Sequence, residues 1–161
     1  RVTPWDDLLV THDPDRPSEL EPDTVLGVNN TTRTLAALTP RRHVPRALDV
    51  ATGSAGPAIR LAGHADVVVA TDLSEHALRY ADRNAAMNGV YLDLRQGDLF
   101  EPVAHDPPFD LITANLPFVV SPDATFTFRD GGRVGDDLCR TAVRAAAAHL
   151  APDGIAVLLC N

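Results

Sequence analysis

Residues 109–118 have the sequence Phe-Asp-Leu-Ile-Thr-Ala-Asn-Leu-Pro-Phe. The apolar run over 109–114 is typical of a buried strand, and Asn115 places a carboxamide at the end of that strand. Pro117 has a fixed φ and restricts Leu116 to an extended backbone, so the carbonyl groups here have a set direction. Together with the flat ring of Phe118, these groups suit a planar ligand that carries an NH₂. The alternative is a strand that ends in a proline turn, with Phe118 packed into the core.

Length and composition are those of one globular domain. The 161 residues are 45% apolar and 22% charged, which suffices for one hydrophobic core. The net charge is 14 − 22 = −8, and this disfavours a partner held mainly through phosphate groups. The stretch Arg41-Arg42-His43 with Arg46 is a candidate local basic patch; solvated loop charges are the alternative.

The cysteines and histidines point to neither a disulfide framework nor a metal site. Cys139 and Cys160 lack Cys-x-x-Cys spacing, and the six histidines are scattered along the chain. No apolar run approaches the ~18 residues of a membrane span, and no signal-peptide pattern occurs. We therefore expect a reduced, cytoplasmic protein with no metal and no membrane partner.

Strand and helix patterns alternate from residue 46 onward. The predicted strands are 46–51, 67–71, 91–95, 109–114 and 155–160. The predicted helices are 29–39, 56–63, a segment capped by Ser74 that ends at Asn88-Gly89, and 135–150. We expect Asn30, Thr31 or Thr32 to cap the first helix, although these side chains can also contact a ligand. This alternation predicts an α/β fold, a doubly wound and mostly parallel sheet, over residues 25–161. The Pro-rich and Asp-rich residues 1–24 are expected to be irregular.

Polar and small residues follow the predicted strands in turn. In such a sheet, ligands bind at the carboxyl ends of the strands, where strand order reverses. The first strand leads into Asp49-Val50-Ala51-Thr52-Gly53-Ser54-Ala55-Gly56, whose acid and small residues suit a nucleoside with an ammonium group better than a dinucleotide. Asp72 follows the second strand as a candidate ribose acceptor. Asp98 and Leu99 follow the third and suit an adenine; a helix-entry acid and a turn acid are the alternatives.

As a set, these strand-end residues resemble a known family. They are similar to the class I S-adenosylmethionine-dependent methyltransferases, and within them to the N-methyltransferases that carry an Asn-Pro-Pro-Tyr/Phe loop. The similarity is strongest to the release-factor glutamine methyltransferases. It extends over roughly residues 25–161 and is carried by Leu48-Asp49-Val50-Ala51-Thr52-Gly53-Ser54, Gly97-Asp98-Leu99-Phe100-Glu101-Pro102 and Asp130-Gly131-Gly132.

The resemblance implies a Rossmann-like fold with S-adenosyl-L-methionine as cofactor. Asp49 and Gly53 would hold the methionine end, Asp72 the ribose hydroxyls, and Asp98 with Leu99 the adenine. The implied cofactor-binding set is completed by Ala51, Thr52, Leu73 and Asn115.

The implied catalytic residues are Asn115, Pro117 and Phe118. The Asn115 side chain and the Pro117 carbonyl would accept the hydrogens of the target nitrogen, and Phe118 would stack on its plane. Methyl transfer from sulfonium to nitrogen would then be direct and in line, with catalysis mostly from positioning.

Three features depart from the family pattern. Leu116 replaces the first proline of the loop, and Ala51 and Ala55 stand where glycines are usual. The family sheet also continues beyond its fifth strand. Because an uncovered edge strand exposes backbone groups, we expect a natural protein longer at both ends, or a partner chain on that edge.

The first hypothesis is therefore an S-adenosylmethionine-dependent N-methyltransferase acting on a protein glutamine, with a release factor as a candidate substrate. An exocyclic amine of RNA or DNA presents the same planar NH₂, although the acidic charge favours a protein target. A non-catalytic S-adenosylmethionine-binding domain is the alternative from another class. A nicotinamide dehydrogenase is disfavoured because the glycine spacing is not that of a dinucleotide loop.

Overall fold

The computed structural model describes residues 1–14, 21–116 and 137–159. Pro117, Phe118, Asp130-Gly131-Gly132 and Cys160 lie outside these ranges. The elements are, in chain order, β1 (Val2–Trp5), β2 (Leu8–Thr11), α1 (Asn30–Leu38), β3 (Val44–Val50), α2 (Gly56–Leu61), β4 (Ala65–Asp72), α3 (Glu75–Met87), β5 (Asp93–Gln96), a 3₁₀ turn (Glu101–Val103), β6 (Phe109–Asn115), α4 (Asp137–His149) and β7 (Leu150–Leu159). None of the helices in the described ranges is long and apolar enough to cross a membrane.

Strands β3 to β7 form one parallel sheet in the order β5-β4-β3-β6-β7. The chain moves outward from β3 through β4 to β5 and then returns to β6 on the other side of β3. Strand order therefore reverses between β3 and β6, and the ligand crevice of such sheets lies at the carboxyl ends of these two strands. The predicted doubly wound α/β fold is confirmed.

Side chains of β3 alternate between two hydrophobic cores, one on each face of the sheet. Ala47 belongs to the core beneath α2 and α3, whereas Leu48 and Val50 belong to the core beneath α4. The same alternation on β6 separates Leu111 from Ile112. It also fixes which strand-end side chains share a face, and this determines the composition of the site.

Caps explain where two of the helices begin. The Ser74 side chain accepts a hydrogen bond from Ala77 N at 3.2 Å, as predicted for α3, which ends before Asn88-Gly89. Helix α1 is capped one residue earlier than predicted. Asn29 accepts from Thr32 N at 3.0 Å, so Asn30, Thr31 and Thr32 all lie inside the helix.

Residues 1–14 are more regular than predicted for the segment 1–24, because β1 and β2 form an antiparallel hairpin that pairs Val2 with Thr11. Pro4 argued against a strand here, but it lies in a two-stranded ribbon where its missing N–H is tolerated. Tertiary contacts stabilise the hairpin: Trp5 is buried, with the Arg60 guanidinium 4.1 Å from its ring centroid. Thr11 N donates to Asn84 Oδ1 at 2.8 Å and so ties the hairpin to α3.

Element boundaries differ most around β7. The last helix ends at His149, and the strand begins at Leu150 instead of the predicted Ile155. The residues predicted as a turn, Asp153-Gly154, lie within this strand, where the pairing with β6 shifts register and Asp153 has a φ of 63°. The third strand of the sheet, β5, starts at Asp93, two residues after the predicted Tyr91.

Candidate active site

The loop after β3 turns sharply through a series of left-handed residues. Ala51, Gly53 and Ala55 have φ values of 55°, 55° and 62°, so two alanines adopt a conformation that favours glycine. The loop is anchored by Thr52 N, which donates to Thr71 O at 3.0 Å. A Cβ atom placed at Gly53 would have no atom within 4 Å, so the space on that side of the glycine is open. Such backbone strain next to open space is a recurrent feature of ligand sites.

Asp49 is buried at the end of β3 with a relative exposure of 1%. Its Oδ1 accepts from Thr113 Oγ1 and its Oδ2 from Thr52 Oγ1, both at 2.6 Å. Burial raises the pKa of this carboxyl from 3.8 to about 6. The hydroxyls of Thr113 and Thr52 and the Ala58 backbone oppose that rise, and the charge of Asp72 adds to it. A second carboxyl therefore lies close enough to interact with the first.

Asp72 joins the end of β4 to the loop after β3. Its Oδ2 accepts from Gly53 N at 2.8 Å and its Oδ1 from Ser74 N at 2.9 Å. Burial raises the pKa of this carboxyl, while the backbone N–H groups of Ser74, Gly53 and Leu73 oppose the rise. A carboxylate has about four acceptor sites, so Asp72 keeps capacity for a further hydrogen bond, such as one that a ribose hydroxyl donates. Leu73 beside it has a relative exposure of 57%.

The loop after β5 is held against the end of β4. Gly97 N donates to Asp72 O at 3.0 Å, and Thr71 Oγ1 donates to Leu99 O at 2.9 Å. Leu99 itself has a φ of 48°. Asp98 and Leu99 therefore lie at the same rim as Asp72, where a planar base can lie beside them.

Asn115 ends β6 on the same face as Asp49. Its Nδ2 donates to Thr31 Oγ1 at 3.2 Å, whereas its buried Oδ1 has no hydrogen-bond partner in the described chain. The other buried side-chain atoms without partners in that part of the chain are Arg46 Nε, Arg60 Nε and His64 Nδ1. Those three residues lie at the start of β3, in α2 and just before β4, away from the strand carboxyl ends. A buried acceptor without a donor at a ligand crevice is what an incoming N–H would satisfy.

The structure thus brings the described members of the predicted set to one rim. Gly53 N donates a hydrogen bond to Asp72, and the Thr52 and Thr113 hydroxyls both donate to Asp49. Thr113 lies two residues before Asn115 on β6. Pro117 and Phe118 lie outside the described residues. A cavity of about 310 Å³ extends around α2; Thr113 is among its lining residues, whereas Asp49, Asp72 and Asn115 are not.

Sequence reasoning named Thr31 as a cap that could contact a ligand, but it missed the contacts that three hydroxyl groups make at this rim. Thr113 pairs directly with Asp49 in the sheet, Thr71 holds the loop after β5, and Thr31 contacts Asn115. Alternation along β3 and β6 was the available signal for Thr113, but its use requires the strand order.

A family model described as a methyltransferase domain matches residues 47–154. The chain belongs to this family. It is 38% identical over 128 residues to a ribosomal protein uL3 glutamine methyltransferase of Bradyrhizobium diazoefficiens, covering 69% of this chain and 39% of that protein. It is 36% identical over 126 residues to a release factor glutamine methyltransferase of Geobacter sulfurreducens, covering 70% of this chain and 44% of that protein.

The chain also resembles the crystal structure of a ribosomal protein L11 methylase from Lactobacillus delbrueckii subsp. bulgaricus. The TM-score is 0.62 at 28% identity, over 82% of this chain and 61% of that one. The chain thus spans about two fifths of the length of the two glutamine methyltransferases. These findings confirm the predicted class I methyltransferase domain, with S-adenosylmethionine as its cofactor.

Proposed function

We propose that this domain methylates the side-chain amide nitrogen of a glutamine in a protein substrate. The observation that carries the proposal is the buried Oδ1 of Asn115, which has no hydrogen-bond partner among the described residues and lies at the rim that also holds Asp49 and Asp72. The two similar glutamine methyltransferases, named for a ribosomal protein and a release factor, support the choice of a protein amide. The acidic net charge of −8 argues in the same direction, because nucleic acid would be repelled.

The cofactor roles follow from donor and acceptor chemistry at the rim. The Asp72 carboxylate has acceptor positions left for ribose hydroxyls, and the open space before Gly53 admits the methionine end close to the backbone. Asp49 underlies this loop through Thr52. Asp98 and Leu99 bind the adenine edge and face in this proposal, and the exposed Leu73 covers the nucleoside. When bound, S-adenosylmethionine supplies an electrophilic methyl group on a sulfonium centre.

The chain's own contribution to the reaction is to orient the acceptor. Asn115 Oδ1 accepts one hydrogen of the glutamine NH₂, and the Pro117 carbonyl, in this proposal, accepts the other while Phe118 stacks on the amide plane. Holding both hydrogens fixes the nitrogen and directs its lone pair, so catalysis comes from positioning. Leu116, which replaces the usual proline, has a relative exposure of 1% and belongs to the core beneath α4. Its burial gives the loop an anchor that proline rigidity would otherwise supply.

A transfer assay with two variants tests this proposal. Labelled S-adenosylmethionine is incubated with the full-length protein and glutamine peptides, matched glutamate peptides, or RNA. We expect label on the glutamine peptides alone. Asn115→Ala should retain cofactor affinity in calorimetry but lower turnover by about 100-fold, whereas Asp72→Ala should lose cofactor affinity.

Normal turnover of Asn115→Ala would contradict the role of the carboxamide. Label on RNA instead of peptide would identify a base amine as the acceptor. Cofactor binding without transfer to either substrate would identify a non-catalytic binding domain.

A further inference from the structure

Two side chains of α1 and its cap link the helix to the functional carboxamide. Thr31 Oγ1 lies 3.2 Å from Asn115 Nδ2 and 2.7 Å from Asn29 Oδ1. Asn29 Oδ1 is also 3.0 Å from both Thr32 N and Thr32 Oγ1. A continuous polar chain therefore runs from the helix cap to the end of β6.

The direction of every hydrogen bond in this chain follows from one backbone group. Thr32 N can only donate, so the Asn29 atom that it meets must be the carbonyl oxygen. That oxygen can only accept, so Thr31 Oγ1 uses its single hydrogen on Asn29. Thr31 Oγ1 can then only accept from Asn115, which requires the NH₂ end of that carboxamide to face the helix. The oxygen of Asn115 is left facing away, and within the part of the chain that the structure describes it has no hydrogen-bond partner.

We propose that Thr31 is a positioning residue that sets the orientation of the Asn115 carboxamide. This inference rests on the proposed function, because the NH₂ group that accepts the methyl must donate a hydrogen bond to Asn115 Oδ1. In the flipped carboxamide, two NH₂ groups would face each other and neither could accept. The Thr31 hydroxyl prevents that flip, because it cannot donate to Asn115 while it donates to Asn29. The helix cap thereby favours a methyl acceptor whose NH₂ group donates a hydrogen bond to Asn115 Oδ1.

Three substitutions on one helical turn test the inference. Thr31→Val removes the hydroxyl at nearly constant shape, Thr31→Ser keeps it, and Thr32→Val removes a neighbouring hydroxyl that bonds the same cap oxygen but not Asn115. We expect Thr31→Val to lower kcat on glutamine peptides by about tenfold, since the loss of this partly buried hydrogen bond costs about 1.4 kcal/mol. Cofactor affinity should stay within about twofold, and Thr31→Ser and Thr32→Val should keep kcat near the wild-type value.

A second measurement reads the orientation without any acceptor. The side-chain ¹⁵N–¹H₂ signal of Asn115, assigned by its loss in Asn115→Ala, should move in Thr31→Val and stay in place in Thr31→Ser and Thr32→Val. If Thr31→Val and Thr32→Val lose kcat equally, or if Thr31→Ser loses as much as Thr31→Val, the loss reflects helix stability. Either result would overturn the inference.

The test separates this inference from the proposed function. Full activity of Thr31→Val beside an inactive Asn115→Ala would overturn the positioning role alone. If the wild-type protein does not methylate glutamine, the proposed function is wrong. The side-chain ¹⁵N–¹H₂ signal of Asn115 would still show whether Thr31 sets the orientation of its carboxamide.

Discussion

The stability of this domain should depend on the ionisation of one buried carboxyl, Asp49. It is enclosed by the Thr52 and Thr113 hydroxyls, the Ala58 backbone and the neighbouring Asp72, and none of these carries a positive charge. Asp49→Asn removes the ionisable group and keeps its shape. Both threonines can still bond the amide, because a hydroxyl can donate or accept. Comparison of this variant with the wild type isolates the cost of the charge.

The sign and size of the effect follow from the raised pKa of Asp49. The folded carboxyl has a pKa of about 6, against 3.8 for the ordinary group, so the native state holds the proton over that interval and the unfolded state does not. Stability is therefore highest at low pH and falls as the pH rises from 3.8 to 6. The full loss is about 3 kcal/mol. Between pH 5 and pH 8 the wild type should lose about 1.4 kcal/mol relative to Asp49→Asn, because about half of the effect is already present at pH 5.

Urea unfolding at these two pH values measures this difference. With a slope of about 2 kcal/mol/M, the gap between the two midpoints should change by about 0.7 M. Asp82→Asn, at an exposed position on α3, is the matched control and should show no such change. A gap between wild type and Asp49→Asn that is the same at both pH values would refute the reasoning. If the wild type becomes more stable relative to Asp49→Asn as the pH rises, the predicted sign is wrong.

Two further predictions concern the loop after β3. Asn84 is fully buried and donates to Thr11 O and Ser54 O, so Asn84→Leu should lower the free energy of unfolding by at least about 3 kcal/mol; a loss below about 1 kcal/mol in urea unfolding would contradict this. Ala51→Gly should raise the free energy of unfolding by about 0.5 kcal/mol, since it relieves a φ of 55° at the expense of unfolded-chain entropy. Ala147→Gly, at an exposed helical position, should lower the free energy of unfolding by about 0.5–1 kcal/mol. If both substitutions change stability in the same direction, strain at Ala51 does not explain the result.

The sheet could be predicted from the sequence because its signals are local. The continuous β-branched run within β4 and the capping Ser74 of α3 each identify their element from a few neighbours. The hairpin of β1 and β2 gives no such signal. It contains Pro4, and it depends on Asn84 and Arg60, which lie far along the chain. Tertiary contacts of this kind override local preference and are invisible to a local pattern.

The strand that precedes each described site residue could likewise be predicted, but the hydrogen-bond partners of its side chain could not. Asp49 and Thr113 meet because β6 pairs with β3 in one register, and a shift of one residue would turn Thr113 to the other face. The contact between Thr31 and Asn115 joins residues 84 positions apart. Neither the strand order nor the register is encoded in the spacing of these residues.

The strained alanines show how a departure from a family pattern can be interpreted physically. Ala51 and Ala55 stand where the resemblance expects glycine, and both adopt the left-handed conformation that glycine would adopt without strain. The loop geometry is thus kept although its residues changed. The substitutions alter stability more than shape, and for that reason they leave the proposed cofactor cradle intact.

The strain at Ala51 and the buried charge of Asp49 both lower stability. Measurements of cofactor affinity distinguish their roles in binding. The φ of Ala51 reflects a residue choice that the ligand does not need, so Ala51→Gly should stabilise the fold and leave cofactor affinity unchanged. The Asp49 carboxyl destabilises the fold above pH 6, yet it supplies the negative charge opposite the ammonium of the methionine end in the proposed binding mode. Asp49→Asn should therefore stabilise the free protein and weaken cofactor binding by about tenfold. If both variants bind the cofactor as the wild type does, the buried charge serves the loop alone and the proposed role of Asp49 is wrong.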